Sequence, residues 1–579
     1  MNSRQRRKAA RHTQAQALTG RVATTTAAGM PASTPAPAGP AASQAYGQIL
    51  KSSSIMGGVA GFNLLLGMVR TKFAAVLIGT VGFGLIANFG AIQGFVGTLA
   101  GLGIQSSAVR EVAAAVASGD EEAIGRTVLT LRRLAWLTGL LGMASMAALA
   151  PQLSQWTFGH DGYTRDIAAL GLIILFANLS GGQMALIQGA RRIGDMARAN
   201  LAGAVLGTAV TLGCYLTWGL RGIVPALVLN AFVQLLLSWR FARRVPVPRV
   251  SMSWGQNLRA GGGMVRLGVA MMWTGLLGSA AGYATNTLIT QTQGLPAVGL
   301  YSAAFSLSGM FINFVLGAMG ADYYPRLSGL VEDKPAMVRL VNQQTEVGLL
   351  LAVPGLLATL TLAPWIVRLF LTPEFAYAAD LLQWLILGCL GRIISWPLGF
   401  VMLALGKGGW YFVTETAFQL LHLDLTLLGL AEFGLEGAAV AFFLLYVGYI
   451  AAMLWVGWIL IGFRWSRACL ELLMLHLPLV ALAFIGVRYL SLETATGAGI
   501  PLTLLTSLLC LRGLIHRVGH AAHYRHAPTL YTTLARQGLS VTEQAVALKI
   551  SSYAAENPRE FVAETFALLA AGAQSIRMF

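Results

Sequence analysis

The first long apolar stretch of the chain contains two cations, within LGMVRTKFAAVLIG at residues 66–79. A charge near the centre of a bilayer costs at least ~2.5–3.5 kcal/mol, so such residues are rare and usually mark functional sites. Arg70 follows Asn63 and Gly67 at spacings of seven and three residues, which predicts one polar stripe on a helix. The forked donors of an arginine in this stripe can form paired hydrogen bonds to an anionic group such as a carboxylate or a phosphate. We therefore take Arg70 and Asn63 as substrate-binding candidates.

Two further cations are candidates for the same role. Lys72 lies about 200° around the helix from Arg70, because each residue turns an α-helix by about 100°. Its long stem can reach toward the membrane interface, and we include it as a separate candidate. Arg392, in LGCLGRIISWP, lies too deep in its apolar stretch to reach either surface easily. The alternative for Arg70 is a structural pair with an acidic neighbour or with backbone carbonyls, and the alternative for Arg392 is a buried pair that holds two helices together.

Acidic residues near apolar stretches suggest two other roles. Asp322 and Arg326, in ADYYPRLS, are four residues apart and are predicted to form an ion pair with a structural or gating role. Glu346, Glu415 and Asp424, in or near apolar stretches, are candidates for carrying protons. Each of the three can equally neutralise an arginine.

The C-terminal segment HRVGHAAHYRH, residues 516–526, resembles a degenerate zinc-metallopeptidase tail. His516 and His520 share a helix face, and Glu564 is a possible third ligand. Arg517 occupies the position of the general base and cannot accept a proton from bound water, so we predict no hydrolysis. The alternative, which we favour, is a histidine-rich helix end followed by a small appendage without metal or cofactor.

The elements that position these residues are membrane helices. Of the 579 residues, 56% are apolar and only 11% charged, and the mean hydropathy is +0.66. Soluble domains carry about 25% charged residues, so the composition predicts an all-α polytopic membrane protein. The hydrophobic pattern predicts fourteen spans: 53–78, 84–108, 128–150, 166–189, 196–217, 221–242, 264–290, 297–320, 343–364, 380–404, 410–431, 435–461, 468–490 and 498–515.

The net charge of +17 comes from basic residues concentrated in alternate loops and in both tails. This distribution predicts that both termini are cytoplasmic, and it argues against nucleic acid as a partner. The four cysteines lie in apolar stretches without paired spacing, so no disulfide framework is indicated.

The chain also contains a repeat with an offset of about 215 residues. GTVGFGL at 79–85 aligns with GLPAVGL at 294–300, and GLRGIVPA at 219–226 aligns with GLEGAAVA at 434–441. Six predicted spans separate the paired segments, so the halves enter the membrane from the same side as parallel repeats. The predicted domains are a basic disordered tail at 1–48, six-helix bundles at 49–250 and 251–463, two additional transmembrane helices at 464–515 and a cytoplasmic appendage at 516–579.

Three segments resemble a known family. KSSSIMGGVAGFNLLLGMVRTKFAAVLIGTVGFGL, GLGIQSSAVREVA and GADYYPRLSGLVED are similar to segments of bacterial O-antigen flippases, the Wzx group. That group belongs to the multidrug/oligosaccharidyl-lipid/polysaccharide (MOP) exporter superfamily, built from two six-helix bundles. The resemblance implies a non-enzymatic transporter in the bacterial inner membrane. Its expected task is to move undecaprenyl-pyrophosphate-linked oligosaccharide from the cytoplasmic to the periplasmic leaflet by alternating access.

The resemblance also implies partners: the lipid-linked oligosaccharide, membrane lipids, a polysaccharide polymerase and chain-length proteins. The driving force is expected to be a proton gradient, the membrane potential or consumption of the product, because no Walker A motif is present. Three alternatives stay open. They are a peptidoglycan-precursor flippase, a drug or cation exporter of the same superfamily, and a membrane-anchored zinc-peptidase-like protein.

Overall fold

The computed structural model describes the backbone of residues 40–526 and most side chains between residues 58 and 515. Contacts divide the chain into the units Met1–Gly58 and Val59–Phe579. The first unit contains the beginning of helix α1, and the sites described below belong to the second. Within residues 40–526 the structure consists of α-helices and three short 3-10 turns without β-strands, which confirms the all-α prediction.

The helices are numbered in chain order. They are α1 (Pro40–Gly101), α2 (Ile104–Ser118), α3 (Glu121–Phe158), α4 (Thr164–Gly189), α5 (Ile193–Trp218), α6 (Ile223–Ala242), α7 (Trp254–Gln293), α8 (Leu295–Ser328), α9 (Lys334–Thr361), α10 (Ala363–Phe370), α11 (Ala378–Ala404), α12 (Gly408–Ile461), α13 (Arg467–Tyr489) and α14 (Leu492–His526).

Four glycines interrupt or separate these helices with the same unusual backbone. Gly79 and Gly434 break α1 and α12 internally, with φ of 59° and 58°. Gly219 follows α5 with φ of 54°, and Gly294 separates α7 from α8 with φ of 83°. Residues with a side chain rarely adopt positive φ, so these sites require glycine. The four form two pairs 215 residues apart, at the positions that the sequence repeat aligned.

A further pair of glycines, again 215 residues apart, lies in close contact with a backbone carbonyl of a neighbouring segment. A Cβ on Gly222 would lie 2.3 Å from the carbonyl oxygen of Cys214, and a Cβ on Gly437 would lie 1.8 Å from that of Gly429. The two partner carbonyls are themselves 215 residues apart. The repeat is therefore a repeat of geometry as well as of sequence.

The number of membrane spans depends on how the long helices are divided. Nine helical segments among the described residues are long and apolar enough to cross a membrane, or eleven if two bent pairs are included. Three of these segments have 41, 50 and 54 residues, whereas a bilayer core needs about 20 residues. Each of the three contains one of the breaks at Gly79, Gly219 and Gly434. Dividing each of the three at its glycine raises the eleven segments to fourteen, the number that the hydrophobic pattern predicts. The count of fourteen spans stays a prediction.

Helix α7 packs against both halves of the chain. Its beginning lies against α2 and α3 of the first half, and Met264 is buried in that core. After a bend of 53° between Val269 and Met272, Ile289 is buried in the core of the second half. The two C-terminal helices, α13 and α14, both pack on α9.

Two short helices differ from the predicted spans. The span predicted over 84–108 is shorter in the structure. Helix α1 ends at Gly101, because Leu102 and Gly103 adopt positive φ of 49° and 62°, and α2 begins after them. Helix α10 occupies part of a predicted loop, where Pro364 at its first turn favours helix initiation.

Candidate functional site

Two adjoining cavities lie between the first half of the chain and helices α7, α8 and α12 of the second half. Their volumes are about 400 Å³ and 340 Å³, and Gly94 of α1 lines both. We call them together the inter-bundle passage. Glycines make this space: Gly90, Gly94, Gly97 and Gly101 recur on one face of α1. A Cβ on Gly90 or Gly94 would contact nothing within 4 Å.

Half of the side chains that line the first cavity of the passage are polar, and none of them is charged. Gln93, Thr98, Gln105, Thr138 and Asn178 project amides and hydroxyls into or beside it. Asn178 also accepts a hydrogen bond from Thr138, at 3.4 Å, and donates one to the Ile174 carbonyl, at 2.9 Å. The cavity therefore offers both donors and acceptors.

The second cavity contains buried polar atoms without partners among the described residues. These atoms are the hydroxyl oxygen of Thr285 and Nε2 of His422. A buried polar atom without a hydrogen bond costs about 1–3 kcal/mol, so such atoms indicate a site for a polar ligand or for water. The residues lining either cavity include no carboxylate.

Close approaches between backbones lie beyond the two ends of the passage. At one end, a Cβ on Gly84 would lie 2.1 Å from the Leu295 carbonyl oxygen, and a Cβ on Gly299 would lie 2.0 Å from that of Thr80. These two contacts exchange under the 215-residue offset, so a pseudo-two-fold axis relates them. We call this pair of contacts the turn-end contact.

At the other end, the close approach is between Gly103 and Gly268. A Cβ on Gly103 would lie 2.1 Å from the Gly268 carbonyl oxygen, and one on Gly268 would lie 2.4 Å from that of Leu102. Between the two ends, α1 and α7 are joined by hydrogen bonds. Asn88 donates to the Thr290 hydroxyl at 2.8 Å, and Asn286 donates to the Ala87 carbonyl at 3.2 Å.

Arg70 lies nine residues before the break at Gly79, about 14 Å along the helix. Its side chain is exposed and lies within electrostatic range of Tyr215 on α5. No hydrogen bond or ion pair to Arg70 occurs among the described residues. Asn63 Oδ1, on the predicted stripe, is buried and unpartnered within the same described part. Neither residue lines the passage, and their role in binding stays a prediction.

Lys72 contacts the second half of the chain. Its Nζ donates to the carbonyl oxygens of Arg368, at 3.2 Å, and of Leu371. These carbonyls lie at the C-terminal end of α10, where unpaired carbonyls and the helix dipole favour a cation. Sequence reasoning did not predict this contact, and the role of Lys72 in substrate binding stays a prediction.

The structure brings Arg392 and Glu415 into one cavity of about 300 Å³ formed by α11 and α12. Arg392 Nη1 lies 3.4 Å from Asn313 Oδ1 on α8. Glu415 accepts a hydrogen bond from the Tyr449 hydroxyl at 2.9 Å. Tyr446 lines this cavity and also a neighbouring, almost wholly apolar cavity of about 590 Å³ between α11, α12 and α13. A cavity that contains one arginine and one glutamate thus adjoins an apolar one.

The other acidic candidates are dispersed. Asp322 and Arg326 form an exposed ion pair at 3.0 Å, as their spacing predicts. Glu346 is buried and accepts a hydrogen bond at 2.8 Å from Ser466, which caps α13. Asp424 is exposed on α12.

The predicted metal ligands His516, His520 and Glu564 lie outside the described side chains. Elsewhere in the described part of the chain, no group of three His, Cys, Asp or Glu side chains is arranged to hold a metal.

Comparisons with known proteins identify a family for this chain. Residues 75–380 match the family described as "Polysaccharide biosynthesis protein". The chain belongs to this family. It is also 24% identical over 401 residues to a protein named Lipid III flippase from Escherichia coli (strain K12), covering 66% of this chain and 92% of that protein. The Shigella flexneri protein of the same name matches equally.

Two solved structures share the fold of this family member. "Lipid II flippase MurJ, inward closed conformation" matches with a TM-score of 0.61 at 14% identity, over 80% of this chain and 99% of that one. An inward-facing multidrug resistance MATE family transporter of the MOP superfamily matches with a TM-score of 0.57 at 14% identity, over 69% of this chain and 94% of that one. The predicted MOP-superfamily fold is confirmed.

Sequence reasoning on this family member missed several residues of the passage. Thr98 and Gln105 were not distinguished from other polar residues, and His422 was not considered. The spacing of Gly90, Gly94, Gly97 and Gly101 was the available signal, because four glycines on one helix face leave room beside it.

Proposed function

We propose that this protein moves an undecaprenyl-pyrophosphate-linked oligosaccharide, an O-antigen or related repeat unit, from the cytoplasmic to the periplasmic leaflet. The observation that carries the proposal is the inter-bundle passage, a space within a membrane protein whose lining combines uncharged polar side chains with apolar ones and includes no carboxylate. Membership of the polysaccharide biosynthesis family and similarity to a protein named Lipid III flippase support the same substrate class.

The lining of the passage suits sugar hydroxyls. Amides and hydroxyls both donate and accept hydrogen bonds, as each sugar hydroxyl does. Thr285 and His422 have unpartnered atoms, which gain hydrogen bonds when a hydroxylated ligand enters. The lack of carboxylates among the lining residues disfavours the alternative of a cation exporter, because a cationic cargo is better stabilised by acidic neighbours.

Two arginines are proposed to bind the pyrophosphate. Arg70 is exposed on α1, and Arg392 lies in the cavity shared with Glu415. The apolar cavity beside Arg392 is suited to the adjoining polyprenyl chain, since a lipid-linked sugar needs an apolar and a polar site side by side.

The two ends of the passage suggest how access alternates. Separating Gly84 from Leu295, and Gly299 from Thr80, would open the turn end while the contact of Gly103 stays closed. Rocking of one bundle against the other around a central site is the general mechanism for transporters built from parallel repeats. With both termini in the cytoplasm, as the basic loops predict, the turn end faces the periplasm.

A peptidoglycan-precursor flippase is the second candidate. The fold match to MurJ covers 80% of this chain and 99% of that one. Fold similarity at this identity does not distinguish the substrates, and the cargo must be tested directly.

Deletion of the gene in its host tests the proposal. We expect the lipid-linked oligosaccharide to accumulate in the cytoplasmic leaflet, with rescue by the wild-type gene and not by Arg70→Ala. Arg339→Ala, which removes an exposed arginine on α9, is the matched control and should rescue. Accumulation of the peptidoglycan precursor instead would favour the second candidate. Normal surface polysaccharide in a strain without a paralogue would contradict the first proposal, and normal peptidoglycan assembly in the same strain would contradict the second.

A further inference from the structure

The largest cavity described in the first bundle lies outside the inter-bundle passage. It is a groove of about 990 Å³ with α4 as its floor, α3 and α6 as its walls, and the segment after α6 closing one end. We call it the basic groove. Its volume is at the upper end of the ~300–1,000 Å³ typical of small-molecule sites, so it is large enough for a lipid.

Charge in the basic groove is concentrated at one end. Arg132, Arg243 and Arg249 line it there, whereas its lining residues include no acidic side chain. Arg243 stacks on Trp239, with the guanidinium carbon 4.6 Å from the ring centroid. Within the described chain, Arg132 and Arg249 have no ion-pair or hydrogen-bond partner. Three other arginines nearby, in contrast, each form an ion pair with the buried carboxylate of Asp195.

The remainder of the groove is apolar. Leu175, Phe176 and Leu179 form its floor, on a helix whose hydropathy is that of a membrane span. Trp136 and Trp239 flank the groove beside the arginines, about half exposed. Tryptophan at the headgroup level, with arginine beyond it and aliphatic residues below it, is the arrangement that the membrane interface favours.

We propose that the basic groove binds an anionic phospholipid, with its acyl chains along the α4 floor and its phosphate between Arg132 and Arg249. Basic pockets between membrane helices on the cytoplasmic side bind anionic headgroups in other proteins. A wall formed by Leu131, Ala135 and Gly182 lines both the groove and the passage, so the lipid lies behind the proposed substrate path. This inference is independent of the substrate carried.

The test uses the purified full-length protein in a neutral detergent with phosphatidylglycerol or with phosphatidylcholine of the same acyl chains. Binding is measured by native mass spectrometry and by the thermal shift that each lipid produces. We compare the double variant Arg132→Gln/Arg249→Gln with the control Arg339→Gln/Arg464→Gln, which removes two exposed arginines outside the groove. Leu236→Trp, at a half-exposed position on the groove wall, tests the acyl-chain part.

Phosphatidylglycerol is expected to bind and stabilise the wild type more than phosphatidylcholine. Each arginine near the surface contributes roughly fivefold in affinity, so the groove double variant should bind about 25-fold more weakly while the control double variant binds normally. Leu236→Trp should also weaken binding.

An equal loss of phosphatidylglycerol binding in both double variants would show that a diffuse surface charge attracts the lipid, and it would overturn the site. Equal binding of both lipids to the wild type would overturn the requirement for an anionic headgroup. The purified protein could instead carry bound lipid-linked oligosaccharide and no phospholipid. If the groove variants lose that oligosaccharide, the occupant assigned to the groove is wrong. None of these results bears on the transport assay, so this inference and the proposed function fail separately.

Discussion

The substitution Gly84→Ala tests whether the turn-end contact closes the passage. A Cβ at this position would lie 2.1 Å from the Leu295 carbonyl oxygen. An ordinary contact begins near 3.4 Å, so α1 and α8 would have to separate by roughly 1.3 Å. The methyl group meets this obstacle only while the end is closed. The substitution should therefore destabilise the closed state and leave the open state unaffected.

The size of the effect follows from the overlap. Overpacking of this kind costs about 1–3 kcal/mol, which corresponds to a shift of roughly 5–150-fold in the population of the closed state. Gly299→Ala should have the same effect, because its Cβ would lie 2.0 Å from the Thr80 carbonyl oxygen. Gly213→Ala is the matched control, since a Cβ there contacts nothing within 4 Å.

Opening can be followed through Thr285→Cys in the passage, where the native side chain is 3% exposed. A membrane-impermeant maleimide added on the turn-end side should modify this cysteine at least fivefold faster in the Gly84→Ala and Gly299→Ala backgrounds. The four native cysteines are all buried, and a background with serines at those positions removes their contribution. Equal modification rates in the Gly84→Ala and Gly213→Ala backgrounds would refute the role of this contact.

Three other substitutions test separate contacts. Lys72→Met removes the cation from the end of α10 and should lower the free energy of unfolding by about 1 kcal/mol, measured by thermal unfolding in detergent; an unchanged midpoint would show that the contact is not stabilising. Gly434→Ala should be destabilised by about 1–2 kcal/mol in the same measurement, because alanine resists positive φ, and wild-type stability would contradict the break in α12. Glu415→Gln should abolish stimulation of transport by an imposed proton gradient in liposomes, whereas Glu346→Gln should retain it; the reverse result would reassign the proton carrier.

The membrane fold and the repeat could be predicted because both depend on local sequence. Apolar stretches of membrane length need no tertiary information. The breaks at Gly79 and Gly294 were visible as aligned glycines because a positive φ restricts the residue type at that position, whatever surrounds it. The local pair of Asp322 and Arg326 was predictable for a similar reason, since helix geometry alone brings them together.

Contacts between distant helices could not be predicted in the same way. Lys72 meets carbonyls almost 300 residues away, and backbone carbonyls carry no sequence signal. Arg392 and Glu415 were each recognised, but a single sequence gives no indication that α11 and α12 place them in one cavity. Helical periodicity identifies the face on which a residue lies, and the partner of that face depends on tertiary packing.

The most direct test of the central claim is lipid translocation by the purified protein. The protein is reconstituted into liposomes that contain undecaprenyl-pyrophosphate-linked oligosaccharide. A membrane-impermeant enzyme or lectin detects the sugar in the outer leaflet, and the change in this signal with time gives the rate of exchange between leaflets. We expect the wild type and Arg339→Ala to exchange this lipid far faster than protein-free liposomes, and Arg70→Ala and Arg392→Ala to be slowed. Exchange by the wild type at the rate of protein-free liposomes would contradict the account.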